Sequence, residues 1–267
     1  MRFIKFLVKR FFPKKFLKII KDNYNETIGR KNEKLFSGDA VYCPCCRKRF
    51  RGFMDFSVTK INHKERYLST YKNTICPYCA SMPRHRIICY YLGENKQIIS
   101  KNNILMFGAE FSIRKWFDMN GFQYRTADLF DRSSDSKIDI QKIPLPDESW
   151  NLIICNHILE HVPDYKVALR ELNRVLSKTG ILEITIPTDR NFETIYEDPT
   201  IVKDDDRRKH FGQNDHLRIF GNDFENILNE CGFLVEVIDG NTMPDEICGV
   251  IGPADYDDNR VYICRKR

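Results

Sequence analysis

Between residues 101 and 267 the apolar positions come in short blocks set apart by polar stretches. Residues 103–108, 151–156 (NLIICN) and 181–186 (ILEITI) are nearly continuous apolar runs. Runs of this kind suit strands buried on both faces of a parallel sheet. Further strands are predicted at 124–129, 137–140, 234–238 and 261–264. A helix is predicted over 111–119, ended by Asn120-Gly121. A second starts at Pro163 and puts Ala168, Leu172, Val175 and Leu176 on one face, with Gly180 as its terminator. A third is predicted over 224–229, after a polar insertion at 188–222. Strands alternating with helices imply an α/β fold, a mostly parallel sheet with helices on both faces. In such sheets a ligand binds beyond the carboxyl ends of the strands. Gly108, Asp128, Asp139 and Asn156 fall at those ends.

The first hundred residues are patterned differently, and two parts are expected there. Residues 1–36 are a basic, aromatic arm, and residues 37–100 are a cysteine module ending in a helix. Residues 1–100 carry 22 Lys/Arg against 7 Asp/Glu, a net +15, whereas residues 101–267 carry 21 against 30, a net −9. That asymmetry suits an anionic partner for the amino-terminal part, and equally a solvated basic surface. No apolar run approaches the roughly 18 residues that span a bilayer, and no signal-peptide pattern is present. Residues 1–20 could lie on an anionic membrane as a basic helix kinked at Pro13. The other reading is a helix docked on the domain.

Five of the ten cysteines fall between Cys43 and Cys79. Cys43 with Cys46, and Cys76 with Cys79, make two C-x2-C knuckles separated by 29 residues. Four thiolates so spaced suit a structural, closed, tetrahedral zinc site in a reducing compartment, and the expected localisation is cytoplasmic. Cys45 is a spare that could replace a neighbour, and reduced buried thiols without metal are the plain alternative. Arg84, His85 and Arg86 follow the second knuckle and, with Arg47, Lys48, Arg49 and Arg51, predict a basic surface for phosphates.

The block from Asp139 to Pro187 contains DIQKIPLPDESWNLIICN, then HILEHV, then ALRELNRVLSKTG. It resembles the signature of the class I S-adenosylmethionine-dependent methyltransferases that act on small molecules. The whole chain is similar to a bacterial subset with a cysteine module ahead of the domain and the segment FGQNDHLRIFG behind it. The resemblance implies a Rossmann-like sheet of seven strands, the last antiparallel, and S-adenosylmethionine as cofactor. It implies that Asp128 holds the ribose, that Asp139 and Ile140 meet the adenine, and that Asn156 and His157 face the transferred methyl. Glu160 and His161 match the LEHV element. The first turn departs from the family's D-x-G-x-G: it reads Phe107-Gly108-Ala109-Glu110. S-adenosylmethionine has no phosphate to seat on a bare helix terminus, so Gly108 and Ala109 suffice for a close turn, and Glu110 could face the cofactor's ammonium. The missing G-x-G-x-x-G weakens a nicotinamide reading.

Methyl transfer from a sulfonium needs alignment of the nucleophile and removal of its proton. In Gly212-Gln213-Asn214-Asp215-His216-Leu217-Arg218, His216 is the expected base and Arg218 the expected clamp on an anionic substrate. The plain alternative is a loop staple. Three functions stay open. The leading one is methylation of a small-molecule or glycan-like acceptor, at oxygen. The others are RNA methylation with the zinc module as recognition arm, and a non-catalytic relative.

Overall fold

The computed structural model describes residues 13–62, 65–99, 103–243 and 259–267. Among the described residues helix α1 (Lys14–Leu35) comes first, followed by short paired strands β1 (Val41–Cys43) and β2 (Lys48–Phe50). A long antiparallel ribbon, β3 (Met54–Asn62) and β4 (Glu65–Ile75), separates the two cysteine knuckles. Helix α2 (Pro83–Glu94) leads into the sheet. The remaining elements in order are β5 (Ile104–Phe107), α3 (Phe111–Met119), β6 (Tyr124–Asp128), β7 (Ser136–Lys137), β8 (Trp150–Asn156), α4 (Tyr165–Val175) and β9 (Leu176–Thr185). An insertion holds β10 (Tyr196–Glu197), α5 (Asp204–His210) and β11 (Arg218–Ile219). Helix α6 (Phe224–Glu230), β12 (Phe233–Asp239) and β13 (Arg260–Lys266) finish the chain.

The seven-stranded sheet runs β12-β13-β9-β8-β5-β6-β7. Six strands run in one direction, and β13 alone runs antiparallel, to both β9 and β12. The order places β5 and β8 side by side at the switch point, so their following loops splay apart and leave a crevice.

Alternate residues of the strands feed two cores. Leu105, Phe107, Ile153, Leu182 and Ile184 pack under α4 and α6. Ile104, Met106, Leu152, Ile154 and Ile263 pack under α2 and α3, in a layer that continues into the cysteines, Phe50 and Phe53. The cysteine module therefore shares a core with the sheet, and α2 covers part of the sheet's second face.

Most predicted elements hold, with three corrections. Helix α4 ends at Val175, because Leu176 is already paired to Trp150 as the start of β9. Gly180 lies inside that strand, where a Cβ would meet the Leu176 side chain at 2.8 Å and the Trp150 carbonyl at 3.0 Å. It is needed for close approach at an irregular register, not for a helix cap. The third strand is shorter than expected, because Asp139 turns back to bridge Lys142. Pro13 stands at the N-cap of α1. The expectation for residues 1–12 lies outside the described residues.

Helix α1 docks on the domain through charge pairs. Asp22 accepts two bonds from Arg114 at 2.8 and 2.6 Å, Lys115 reaches Glu26 at 3.0 Å, and Lys21 reaches Asp131 at 2.7 Å. Gly29 lies so close to Tyr78 that a Cβ would stand 2.3 Å from its carbonyl oxygen. No helix among the described residues is long and apolar enough to cross a membrane.

Candidate active site and cysteine cluster

The carboxyl edge of the sheet gathers the residues that the sequence placed there. Gly108 leaves β5 with φ +58, and a Cβ on it would stand 2.7 Å from the Ile158 side chain and 3.4 Å from the Asn156 carbonyl. Only glycine fits both the backbone angle and the space. Asp128 ends β6, and its Oδ1 accepts the N–H groups of Phe130 and Asp131, both at 2.7 Å. Its second oxygen has no hydrogen bond among the described residues. Asp139 Oδ1 accepts the Gln141 N–H at 2.9 Å, which holds the loop after β7. Ile140 is buried in the core beneath that loop. A cleft lined by Lys18, Tyr24, Ala109, Phe111 and Thr126 lies on the α1 side of Ala109 and touches none of these edge residues.

Two predicted roles change. Asn156 is buried, with its amide NH2 assigned toward Thr185 Oγ1 at 2.8 Å and the Glu183 carboxyl at 3.0 and 3.1 Å. The side chain is spent inside the sheet, and only its backbone borders the Gly108 turn. Glu110 is held by the cysteine module: His85 Nε2 lies 2.6 Å from Oε2, and an Arg84 nitrogen 3.4 Å from Oε1. His85 Nδ1 accepts the Met82 N–H at 3.1 Å, which leaves the proton on Nε2, facing Glu110. Burial lowers His85 more than Glu110 raises it, so the imidazole stays neutral. Burial alone would raise Glu110; the His85 and Arg84 side chains outweigh it and hold the carboxyl well below the usual range. Since His85 is neutral, Arg84 supplies the positive charge.

The basic surface predicted for phosphates divides: Arg47, Arg49 and Arg51 stay exposed, and three residues go inside. Arg84, His85 and Arg86 are all buried. Arg86 donates to the Ser81 and Thr74 carbonyls at 2.7 and 2.8 Å and stacks 4.2 Å from the Phe53 ring. Lys48 pairs with Glu33, Arg49 with Asp39, and Arg51 lies over Phe36. Sequence spacing could not show this, because the whole first turn of α2 is enclosed by the module and the sheet.

The insertion folds back on the loop after β8. The Leu217 N–H donates to the Glu160 carbonyl at 2.9 Å. Arg218 is buried and donates to the carbonyls of Leu159, Val162 and Pro163 and to Glu197. Its donors are consumed as a staple, so the expected substrate clamp is not what this geometry provides. His216 is buried, with its ring edge-on to His161 at 4.8 Å between centroids. Burial, more than the opposing charge of Glu160, lowers its titration. His157 follows β8 with φ 51, and its Nδ1 lies 3.3 Å from Glu160 Oε1. The sequence did not reveal that Glu160 joins these three imidazoles.

In the cysteine module, Cys43, Cys46, Cys76 and Cys79 converge, all buried. The Cys43–Cys79 and Cys46–Cys76 sulfurs are each 3.7 Å apart. A tetrahedron with Zn–S bonds of about 2.3 Å has an edge of about 3.8 Å, so the residues fit zinc. Cys45 is buried outside this set, and burial raises its thiol.

Residues 123–184 match the family model of the methyltransferase domain. The chain is similar to demethylmenaquinone methyltransferase of Staphylococcus haemolyticus, 39% identical over 62 residues, which is 22% of this chain and 26% of that protein. The corresponding Staphylococcus aureus protein is 39% identical over 61 residues, 22% of this chain and 25% of that one. The chain thus matches about a quarter of the length of these curated relatives. Among solved structures, an S-adenosylmethionine-dependent methyltransferase from Mesorhizobium loti aligns at TM-score 0.45 and 16% identity, covering 66% of this chain and 96% of that one. One from Archaeoglobus fulgidus aligns at 0.45 and 14%, covering 68% and 94%. The stretch that matches the methyltransferase domain lies in the seven-stranded sheet, and the four-cysteine cluster precedes it.

Proposed function

We propose that this chain is an S-adenosylmethionine-dependent methyltransferase acting on a small-molecule acceptor at oxygen. The observation that carries the reading is the assembly of Gly108, Asp128 and Asp139 at the carboxyl ends of β5, β6 and β7, in the stretch that overlaps the methyltransferase family match. The cofactor would bring a methyl group already activated on a sulfonium. Gly108 would give the cofactor room at the first turn. Asp128 would accept the ribose hydroxyls through its second oxygen, and the Asp139 loop would border the adenine.

His157 replaces His216 as the proposed base. It follows directly on β8, whereas His216 is buried against His161. The Glu160 carboxylate beside Nδ1 would favour the protonated ring once it has taken the acceptor's proton. The names of the curated relatives favour a small acceptor, demethylmenaquinone in their case. Burial of Arg84, His85 and Arg86 takes three of the seven basic residues away from an RNA-facing surface. A glycan-like acceptor remains within the small-molecule class.

Calorimetry with S-adenosylhomocysteine tests the cofactor, and transfer of labelled methyl to small-molecule, glycan, lipid and RNA fractions tests the acceptor. Saturable binding with label in the small-molecule fraction is expected. Absence of binding would overturn the reading.

A further inference from the structure

We propose that Glu160, His161 and His216 form a second metal site, separate from the four cysteines, for a divalent first-row transition ion. Their ligand atoms all lie within 4.8 Å of one another. Two imidazoles and one carboxylate are a donor set that such ions take, and three protein ligands leave positions open for water or a substrate oxygen.

The state of Glu160 points independently to a cation. Its side chain is only 1% exposed, and neither oxygen has a hydrogen bond. A buried carboxylate without hydrogen bonds is costly, and evolution of a purely structural site would supply donors. Instead the groups around it are imidazoles: His157 Nδ1 at 3.3 Å and His161 Nε2 at 3.9 Å, with His216 completing the set.

The surroundings orient the ligands as metal sites require. His161 Nδ1 lies 3.2 Å from the Asp215 carbonyl oxygen and 3.5 Å from its Oδ2. Those acceptors hold the proton on Nδ1 and turn the Nε2 lone pair toward Glu160. The backbone beneath is fixed by the Leu217 bond to Glu160 and by the Arg218 staple. The His161 side chain is 34% exposed, which gives an ion a way in. Metal–ligand bonds of about 2.1 Å put adjacent donors about 3–3.5 Å apart, so the set must close by roughly an ångström. If the methyltransferase reading holds, the open positions lie beside His157 and would take the acceptor oxygen; that extension alone rests on the reading.

The test is a Co2+ titration of the full chain with zinc already in the four-cysteine cluster. The native chain should bind a second equivalent with visible absorption but no thiolate charge-transfer band. The double variant with His161→Ala and His216→Ala should lose that equivalent while keeping its circular dichroism. If the double variant does not fold, His161→Ala alone, at a half-exposed position, should weaken the second equivalent at least about tenfold. No second equivalent in the native chain, or equal binding by the folded variants, would overturn the site. Neither readout involves S-adenosylmethionine, so this outcome is separable from failure of the methyltransferase reading.

Discussion

His157 occupies a left-handed backbone conformation, φ 51, that costs a non-glycine residue about 1 kcal/mol or more. Its N–H donates to the Thr185 carbonyl at 2.9 Å, which holds the bend at the end of β8. The bend puts the ring beside Glu160 at the crevice, so backbone strain serves side-chain placement. His157→Asn, which tolerates this conformation, is expected to cut turnover about 10²–10⁴-fold. Its affinity for S-adenosylhomocysteine should stay near native; steady-state kinetics with calorimetry separates the two, and undiminished turnover would remove the base assignment. A second residue-scale test concerns Glu183, which is fully buried in β9 beside Asn156. Burial, then the charge of Glu110, raises its carboxyl well above the ordinary range. The folded chain thus keeps a proton that the unfolded chain releases. Stability tied to this group is complete below the unfolded carboxyl value and is lost as pH rises toward the folded one. Glu183→Gln should therefore gain on the native chain as pH rises. Urea midpoints at about pH 5 and about pH 8 would show it, and a gap that does not widen with pH would exclude protonated Glu183.

At the scale of elements, α2 links the cysteine cluster to the Gly108–Glu110 turn. Its first residues, Arg84 and His85, grip Glu110, the residue that caps α3. Glu110 was expected to bind the cofactor's ammonium; the structure gives its carboxylate an internal partner instead. Arg84→Ala leaves that carboxylate with one neutral partner and is expected to cost about 1–3 kcal/mol of stability. It should also weaken S-adenosylhomocysteine binding by loosening the Gly108–Glu110 turn, although Arg84 belongs to the module. A denaturant titration and calorimetry check both effects; unchanged cofactor affinity would show that the turn holds itself. Helix α3 and the strands were legible in sequence because their apolar periods and the Asn120-Gly121 stop are local signals. The grip of α2 was not legible. Arg84, His85 and Arg86 look like surface residues until the sheet and the knuckles enclose them from opposite sides. His216 and Glu160 meet for a similar reason: fifty-six residues apart in sequence, they are joined only by the fold-back of β11.

For the whole molecule, the decisive feature is one continuous core running from the cysteines through α2 to the second face of the sheet. Four thiolates around a zinc ion carry a net charge of −2 by simple valence. Arg86, fully buried beneath them, offsets part of it. Structural zinc contributes on the order of 10 kcal/mol at neutral pH. That equals much of the roughly 5–15 kcal/mol by which a whole domain is stable. Where zinc fills the cluster, its loss should therefore not release an independent module and leave the sheet intact. It should uncover Ile104, Met106 and Ile154 by freeing α2, and take the Arg84–Glu110 contact with it. Stripping the zinc with a strong chelator is expected to lower the melting transition as a single cooperative step and to abolish S-adenosylhomocysteine binding together with it. Calorimetric scans before and after chelation, with zinc added back, decide the matter. Two separated transitions, with the later one unmoved and cofactor binding retained, would mean that the sheet's second face closes without the metal.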